Sequence, residues 1–193
     1  MVRMRASLRL VAVTLPRYPE PMEKTIALLR AINVGKHNRI KMTELRPVFE
    51  AAGCKEVETY IQSGNVVFSA TAKVRRTLAR RVEAALEAEH GVSSPVILRQ
   101  ATELVAAAEA SPFTAHDPKR VHVVFLKDEP NGDLDVEAFA LADLVLEGRE
   151  LHLHTPEGLG RSKVTNAKLD RALGTVTTTR GIRSVRKLVE MSR

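Results

Sequence analysis

Alternating apolar and polar residues between positions 57 and 68 predict a β-hairpin. Val57, Thr59 and Ile61 recur at every second position, which is the period of a half-buried strand. Residues 66–68 are apolar on both faces, as in a strand that lies deeper in a sheet. Between them, Gly64 and Asn65 tolerate the positive φ angles of a tight turn. We expect this hairpin to fix the register of a sheet.

Segments on both sides of the hairpin complete a βαββαβ order. The expected elements are a strand at 24–31, a helix at 43–52, the hairpin, a helix from 71 to about 91 and a strand at 95–98. Thr43 is the expected N-cap of the first helix, whose apolar face has helical spacing: Leu45, Val48, Phe49 and Ala52. The order predicts an α+β fold with a ferredoxin-like domain over residues 22–100.

The rest of the chain predicts a second, smaller α+β domain. A connecting helix and linker cover 101–118, and residues 119–193 form the basic domain. Its expected elements are a strand at 121–126, a helix at 134–141, a hairpin at 144–154, a helix that opens at Ser162 or Thr165, and a last helix from about 182. No internal repeat is visible in the sequence. Residues 1–21 lack this patterning and are expected to be a disordered or mis-assigned extension.

Charge and cysteine content narrow the classes of function. The 193-residue chain has a net charge of +7, and residues 161–193 hold nine Lys and Arg against two acids, which accounts for all of it. Such a region favours anionic partners, although it is also compatible with a solvated helix face. The single cysteine, Cys54, excludes an internal disulfide and fits a reducing, cytoplasmic location. No apolar run is long enough to span a membrane.

Three separated blocks resemble a known family. Residues 28–35, 59–68 and 160–169 are similar to the domain of unknown function 1697 family, a group of bacterial proteins. The resemblance implies a fold and a soluble bacterial origin, but no mechanism. Two departures stand out: Ala31 replaces a residue that is usually glycine in the family, and Gly181-Ile182 stand where the family usually has Asn-Trp.

The C-terminal candidate site combines a glycine-containing loop with basic residues at predicted helix starts. The N-terminus of a helix and nearby cations suit a phosphate or another anion. The candidate ligands in this region are Gly160, Arg161, Ser162, Lys163, Asn166, Arg180 and Arg183. The spacing of the glycines is not that of a Walker A loop.

A second group of candidates follows the predicted central strand. Arg30, Asn33, Lys36 and Asn38 lie at a strand end or in the polar loop after it, where ligands are often bound. A salt bridge from Arg30 to Glu44, Glu56 or Glu58 explains that arginine equally well.

A paired-histidine motif invites a test for metal binding. His152 and His154 share one strand face, but no cysteine or carboxylate at a matching spacing completes a metal site, so we expect an exposed strand face and no metal.

The best-supported function from sequence is binding of a phosphorylated or carboxylated small molecule between the two domains, either in a simple binding module or in an enzyme. The alternatives are nucleic-acid backbone binding through the basic region, or an oligomeric interaction protein. The sequence names neither a catalytic residue nor a cofactor.

Overall fold

The computed structural model describes residues 20–34 and 38–193. Its first half contains, in chain order, β1 (Met22–Leu29), α1 (Met42–Ala51), β2 (Lys55–Tyr60), β3 (Asn65–Thr71), α2 (Ala72–His90), β4 (Val96–Gln100) and α3 (Ala101–Glu109). The four strands form one antiparallel sheet with the order β2-β3-β1-β4. The predicted βαββαβ order is therefore observed.

The hairpin of β2 and β3 forms where the alternation predicted it. Residues 61–64 make the turn, and Gly64 has a φ of +73°. Asn65 instead begins β3, where it is fully buried, and Ile61 is the second turn residue with a positive φ. The reversal therefore lies one residue earlier than predicted.

The second half repeats the strand arrangement of the first. It contains β5 (Val121–Leu126), a single 3-10 turn (Glu137–Phe139), β6 (Asp143–Glu147), β7 (Glu150–His154), α4 (Asn166–Leu173), β8 (Thr177–Gly181) and α5 (Ile182–Met191). These strands form a second antiparallel sheet with the order β6-β7-β5-β8. Each position of the first sheet thus has a counterpart in the second, and the α+β class is confirmed.

Three expected local features need correction or refinement. No α-helix forms at 134–141, because the Asp135 carboxylate accepts the Glu137 N–H at 3.0 Å and competes with helical hydrogen bonds. The helix α1 begins at Met42, so Thr43 lies inside it and Lys41 is the N-cap. Of the two predicted starts for α4, Thr165 is the N-cap, and its hydroxyl accepts the Lys168 N–H at 3.3 Å.

The helices are amphipathic and pack on the sheets through one face. In the 19-residue α2, Leu78, Val82 and Leu86 are buried at helical spacing, and charged residues lie between them. Within the two described ranges, no helix combines the length and apolar character needed to cross a membrane.

The buried residues form three hydrophobic clusters. One joins α1 and α2 to the outer face of the first sheet, and another joins α4 to the outer face of the second. The third cluster lies between the sheets and includes Ile26 and Val67 from the first, Val123 from the second, and residues of α3 and α5. The two halves therefore share a core.

Candidate functional site

Arg180 is a buried structural residue of the interface between the sheets. It is 7% exposed, and its guanidinium has five N–H groups, the full number for arginine. All five donate to uncharged protein oxygens: Asn65 Oδ1 (2.6 Å), Thr178 Oγ1 (2.8 Å) and the carbonyls of Thr179 (2.9 Å), Leu29 (2.7 Å) and Ser63 (2.9 Å). Burial lowers the pKa of Arg180 to about 10, so the side chain is still charged at neutral pH. No donor of this predicted site residue is left for an anion.

Arg99 makes the equivalent contacts from the first half to the second, whereas Arg180 reaches from the second half to the first. Arg99 and Arg180 are each the fourth residue of an edge strand, β4 and β8. Arg99 donates from Nη2 to the carbonyls of Leu126 (2.7 Å) and Arg149 (3.1 Å), and from Nε to Glu150 (2.6 Å). Leu126 and Glu150 end β5 and begin β7, just as Leu29 and Asn65 end β1 and begin β3. This reciprocity is the pattern of an isologous interface.

A second reciprocal pair involves Arg30, which forms a salt bridge to Asp170 on α4 of the other half. The matching pair is Lys127, after β5, with Glu83 on α2 at 3.0 Å. Each carboxylate also accepts the first N–H of a strand, from Thr177 at 2.8 Å for Asp170 and from Val96 at 2.7 Å for Glu83. Of the two roles expected for Arg30, the structure shows the salt bridge, although its partner is none of the three acids proposed from sequence.

The asparagines of the loop after β1 hold the chain in place. Asn33 donates to the carbonyls of Ile40 and Gln62, both at 3.0 Å, and accepts the Ile40 N–H at 3.0 Å. Asn38 donates to Ser93 O at 2.9 Å and accepts the Ser93 N–H at 3.2 Å. Lys36 lies outside the described residues. Both asparagine side chains are thus engaged by the backbone.

The glycine-containing loop before α4 does not lie at a helix start. The Ser162 hydroxyl is buried, donates to Leu159 O at 2.8 Å and accepts the Val164 N–H at 3.2 Å. By contrast, the Arg161 side chain is 81% exposed and lies 3.7 Å from Glu157. Lys163 is exposed, as is Gly160, which has open space around it.

The predicted C-terminal ligands do not form one site. Arg180 is buried between the sheets, whereas Arg161 and Arg183 are exposed. Asn166 uses its side-chain oxygen to accept the Thr179 hydroxyl at 2.7 Å. Because the interface takes up every donor of Arg180, this arginine has no N–H left to share an anion with Arg161.

A cavity between α3 and the β6–β7 hairpin was not predicted. It has a volume of about 200 Å³, which is below the range of about 300–1,000 Å³ that is usual for ligand pockets. Its lining residues are Glu103, Ala106, Ala107 and Ala110 from the α3 segment, and Glu147, Glu150 and His152 from the hairpin. The cavity thus lies between α3, which follows the last strand of the first sheet, and the β6 edge of the second sheet.

Comparison of the two halves explains why this space is open. Position by position from the helix start, Ala106, Ala107 and Ala110 match Lys187, Leu188 and Met191 of α5. On the β7 strand His152 is the third residue, and its counterpart on β3 is Val67, which packs in the shared core. Alanines thus replace larger side chains on the helix that faces the buried histidine of the other half. We therefore take this cavity as the candidate functional site.

His152 is the central polar group of the cavity. Its side chain is 1% exposed, and Nδ1 has no hydrogen-bond partner among the described residues. Its Nε2 lies 4.0 Å from Glu147 Oε2, which is too far for a hydrogen bond. Burial lowers the pKa of His152, while Glu147 and Glu150 act in the opposite direction. The expected exposed strand face is therefore wrong, since both His152 and His154 are buried.

Two of the three carboxylates at the cavity are neutralised by arginines. Glu103 pairs with Arg149 at 2.5 Å, and Glu150 pairs with Arg99. Glu147 has no basic partner other than His152 within the described ranges, and its side chain is 67% exposed. No group of three or more His, Cys, Asp and Glu suited to a metal ion occurs in residues 20–34 and 38–193.

A sequence signal for this site exists, but it is ambiguous. Glu150, His152 and His154 alternate along β7, and their register partners are Phe125, Val123 and Val121 of β5, in which His122 is the one polar residue. An apolar partner strand indicates that both sheet faces are covered. The alternation alone is equally typical of a solvated face.

Comparisons with known proteins identify similar sequences and structures. The family model for "Protein of unknown function (DUF1697)" matches residues 22–150. No curated protein matches the chain. Among solved structures, the conserved bacterial protein SP0830 from Streptococcus pneumoniae is similar, with a TM-score of 0.67 and 23% identity over 89% of this chain and 98% of that one. The family match covers most of the chain, which therefore belongs to the DUF1697 family of proteins of unknown function.

Proposed function

We propose that this protein is a small-molecule-binding module whose ligand occupies the cavity between α3 and the β6–β7 hairpin. The observation that carries the proposal is the buried His152 with its unpartnered Nδ1, at a position where the other half has a packed valine. Buried polar atoms are normally hydrogen-bonded, so an unpartnered one beside a cavity is consistent with a missing partner. The cavity keeps the ligand between the two halves, as the sequence suggested.

The test is a screen of small water-soluble fragments by ¹H–¹⁵N NMR. Shift changes should cluster at Ala106, Ala107, Glu147 and His152. Ala106→Leu places a larger side chain at the cavity wall and should abolish them. Ala88→Leu, on an exposed face of α2, should leave them unchanged. Fragment shifts that survive Ala106→Leu, or no shifts at this cluster, would contradict the proposal.

An anionic ligand, which the sequence predicts, would have to bind outside this cavity. Glu147, the acid at the cavity without an arginine partner among the described residues, disfavours an anion there. The exposed Arg161 and Lys163 remain available for phosphate elsewhere. Phosphate should raise the melting temperature of the parent more than that of Arg161→Ala/Lys163→Ala at matched ionic strength. An equal response would remove this candidate.

One further observation supports binding of nucleic-acid backbones as a second candidate function. Arg183 and Arg186 lie on the exposed face of α5, and neither has an ion-pair partner within the described part of the chain. Contacts of this kind bind phosphates without sequence preference, and affinity falls steeply with salt. The salt slope for a single-stranded oligonucleotide should therefore shrink in Arg183→Ala/Arg186→Ala. Failure to bind the oligonucleotide at low salt would exclude this function.

We also infer that each half is a ferredoxin-like unit, with boundaries at 22–100 and 119–193 and a connecting segment at 101–118. The repeated strand order supports this division. The shared core supports a fixed arrangement of the two units. Residues 1–19, within the predicted extension, lie outside the described residues.

A further inference from the structure

The gap between Glu147 and His152 defines the chemistry of the cavity. Their nearest atoms, Glu147 Oε2 and His152 Nε2, are 4.0 Å apart. Direct hydrogen bonding is excluded at this distance, but a third polar atom between them could bond to both. Both groups belong to the β6–β7 hairpin and lie next to the alanine wall of α3.

The two groups are available as hydrogen-bond acceptors. Since burial lowers the pKa of His152, the ring is neutral at pH 7, and Nε2 is the acceptor in the tautomer that has its hydrogen on Nδ1. Glu147 has no Lys or Arg partner in the described ranges. The other acids that line the cavity, Glu103 and Glu150, are already paired with arginines. Negative charge is thus left uncompensated at Glu147.

An ammonium group fits this arrangement. A nitrogen placed about 2.9 Å from each acceptor would see them at an angle of about 90°, which is close enough to tetrahedral for two N–H bonds. A hydroxyl that donates to Glu147 and accepts an N–H from His152 would leave the Glu147 charge unbalanced, and a carboxylate would be repelled by Glu147. The apolar wall of Ala106, Ala107 and Ala110 suits a short aliphatic chain behind the charged group.

We propose that the cavity binds a small primary amine, whose ammonium group donates to both Glu147 and His152 and whose aliphatic part contacts the alanines of α3. This inference rests on the ligand-binding function proposed above and names its ligand class. Glu147 supplies the charge, His152 the second acceptor, and the alanines the space.

The experiment compares three probes of similar size on the full-length protein: butylamine, butan-1-ol and butyrate. Binding is followed at pH 7.5 by NMR of the backbone amides and the ¹⁵N-labelled histidine rings. Butylamine should shift the His152 ring signals and bind at least about tenfold more tightly than butan-1-ol, with no binding of butyrate. Glu147→Gln should weaken butylamine by about tenfold and leave butan-1-ol unchanged. Glu109→Gln, an exposed acid at the end of α3, is the matched control.

The outcomes separate the two proposals. If all three probes bind alike and Ala106→Leu abolishes them, the cavity binds ligands but the amine class is wrong. Equal butylamine affinity in the parent and Glu147→Gln would overturn the amine proposal as well. If butylamine does not shift the His152 signals at any concentration at which the protein stays soluble, only water occupies the gap. That result would also overturn the amine proposal.

Discussion

Arg99 and Arg180 reach across the interface in opposite directions and donate to the same atom of equivalent residues. From Nη2, Arg180 donates to the carbonyl that ends β1, and Arg99 donates to the carbonyl that ends β5, both at 2.7 Å. The pairs differ in one respect, since Nε of Arg99 meets the carboxylate of Glu150 whereas Nε of Arg180 meets the neutral amide of Asn65. The Arg180 cation is therefore held by dipoles alone.

Arg180→Lys should destabilise the protein strongly. Lysine has three donors in place of five, so buried carbonyls lose their partners, at a cost of at least about 2 kcal/mol in the free energy of unfolding. Urea denaturation measures this. Arg183→Lys, on the exposed face of α5, should stay within about 0.5 kcal/mol of the parent. Similar midpoints for both variants would show that Arg180 has no structural role.

Gly64→Ala should cost more stability than Gly148→Ala. Both glycines have positive φ, +73° and +55°, so alanine is strained at each. Only at Gly64 would the new Cβ clash, at 2.7 Å from Ile32 Cδ1 and from Leu29 Cβ, while Gly148 has open space. The difference in the free energy of unfolding should be about 1–3 kcal/mol. Equal losses would mean that the turn relaxes without strain.

Ala31→Gly should stabilise the protein. Ala31 is exposed and has a φ of +53°, a left-handed conformation that costs a non-glycine residue about 1–2 kcal/mol. Because glycine gains entropy in the unfolded chain, the net gain should be about 0.5–1 kcal/mol. Ala140→Gly is the control, since Ala140 is exposed with a φ of −53° and should lose stability. A lower midpoint for Ala31→Gly would contradict the interpretation.

The order of helices and strands along the first half could be predicted from sequence because its periodicities are clear. Val57 and Thr59 mark a strand, and Leu78, Val82 and Leu86 mark a helix. The sequence did not show that the second half repeats the strand arrangement of the first. The counterpart of α1 is only the turn at Glu137–Phe139, and the two halves share topology without shared residues at matching positions such as Val67 and His152.

The candidate site was hidden for a different reason. Sequence patterns find charged residues, but they do not show which charges the fold neutralises. Arg30 and Arg180 looked available for a ligand, although acceptors from distant segments, Asp170 and Leu29, satisfy them. The cavity, in turn, depends on alanines of α3 that face a hairpin about 40 residues later, a pairing that only the tertiary fold reveals.

His152→Gln should reduce the loss of stability in acid. The pKa of His152 is lowered in the folded state, so below about pH 6.5 the unfolded chain binds more protons than the folded protein. The free energy of unfolding therefore decreases as the pH is lowered. His122, whose pKa burial also lowers, acts in the same direction. Removal of His152 should make the slope of the free energy of unfolding against pH shallower between pH 6.5 and 5, by up to about 1.4 kcal/mol per pH unit. Denaturant titrations across this range check it, and an unchanged slope would contradict a buried neutral ring.

Cys54 should be unreactive in the folded protein. Burial raises the pKa of its thiol to about 12, with Arg81 acting in the opposite direction, and the residue is 2% exposed. At pH 8 the thiolate fraction is then about one in 10,000. Labelling with a thiol-reactive disulfide reagent should be slow in buffer and fast in denaturant. Rapid labelling in buffer would show that the α1–β2 connection opens.

The reciprocal arginines also have a consequence for cooperativity. Each half satisfies a backbone carbonyl of the other, at Leu29 and at Leu126, and each arginine loses its acceptors across the interface if the other half unfolds. Loss of one sheet would remove these hydrogen bonds and expose the shared core of the sheet that remains to water. The two sheets should accordingly melt in a single calorimetric transition, with equal calorimetric and van't Hoff enthalpies, even though each has an outer core of its own.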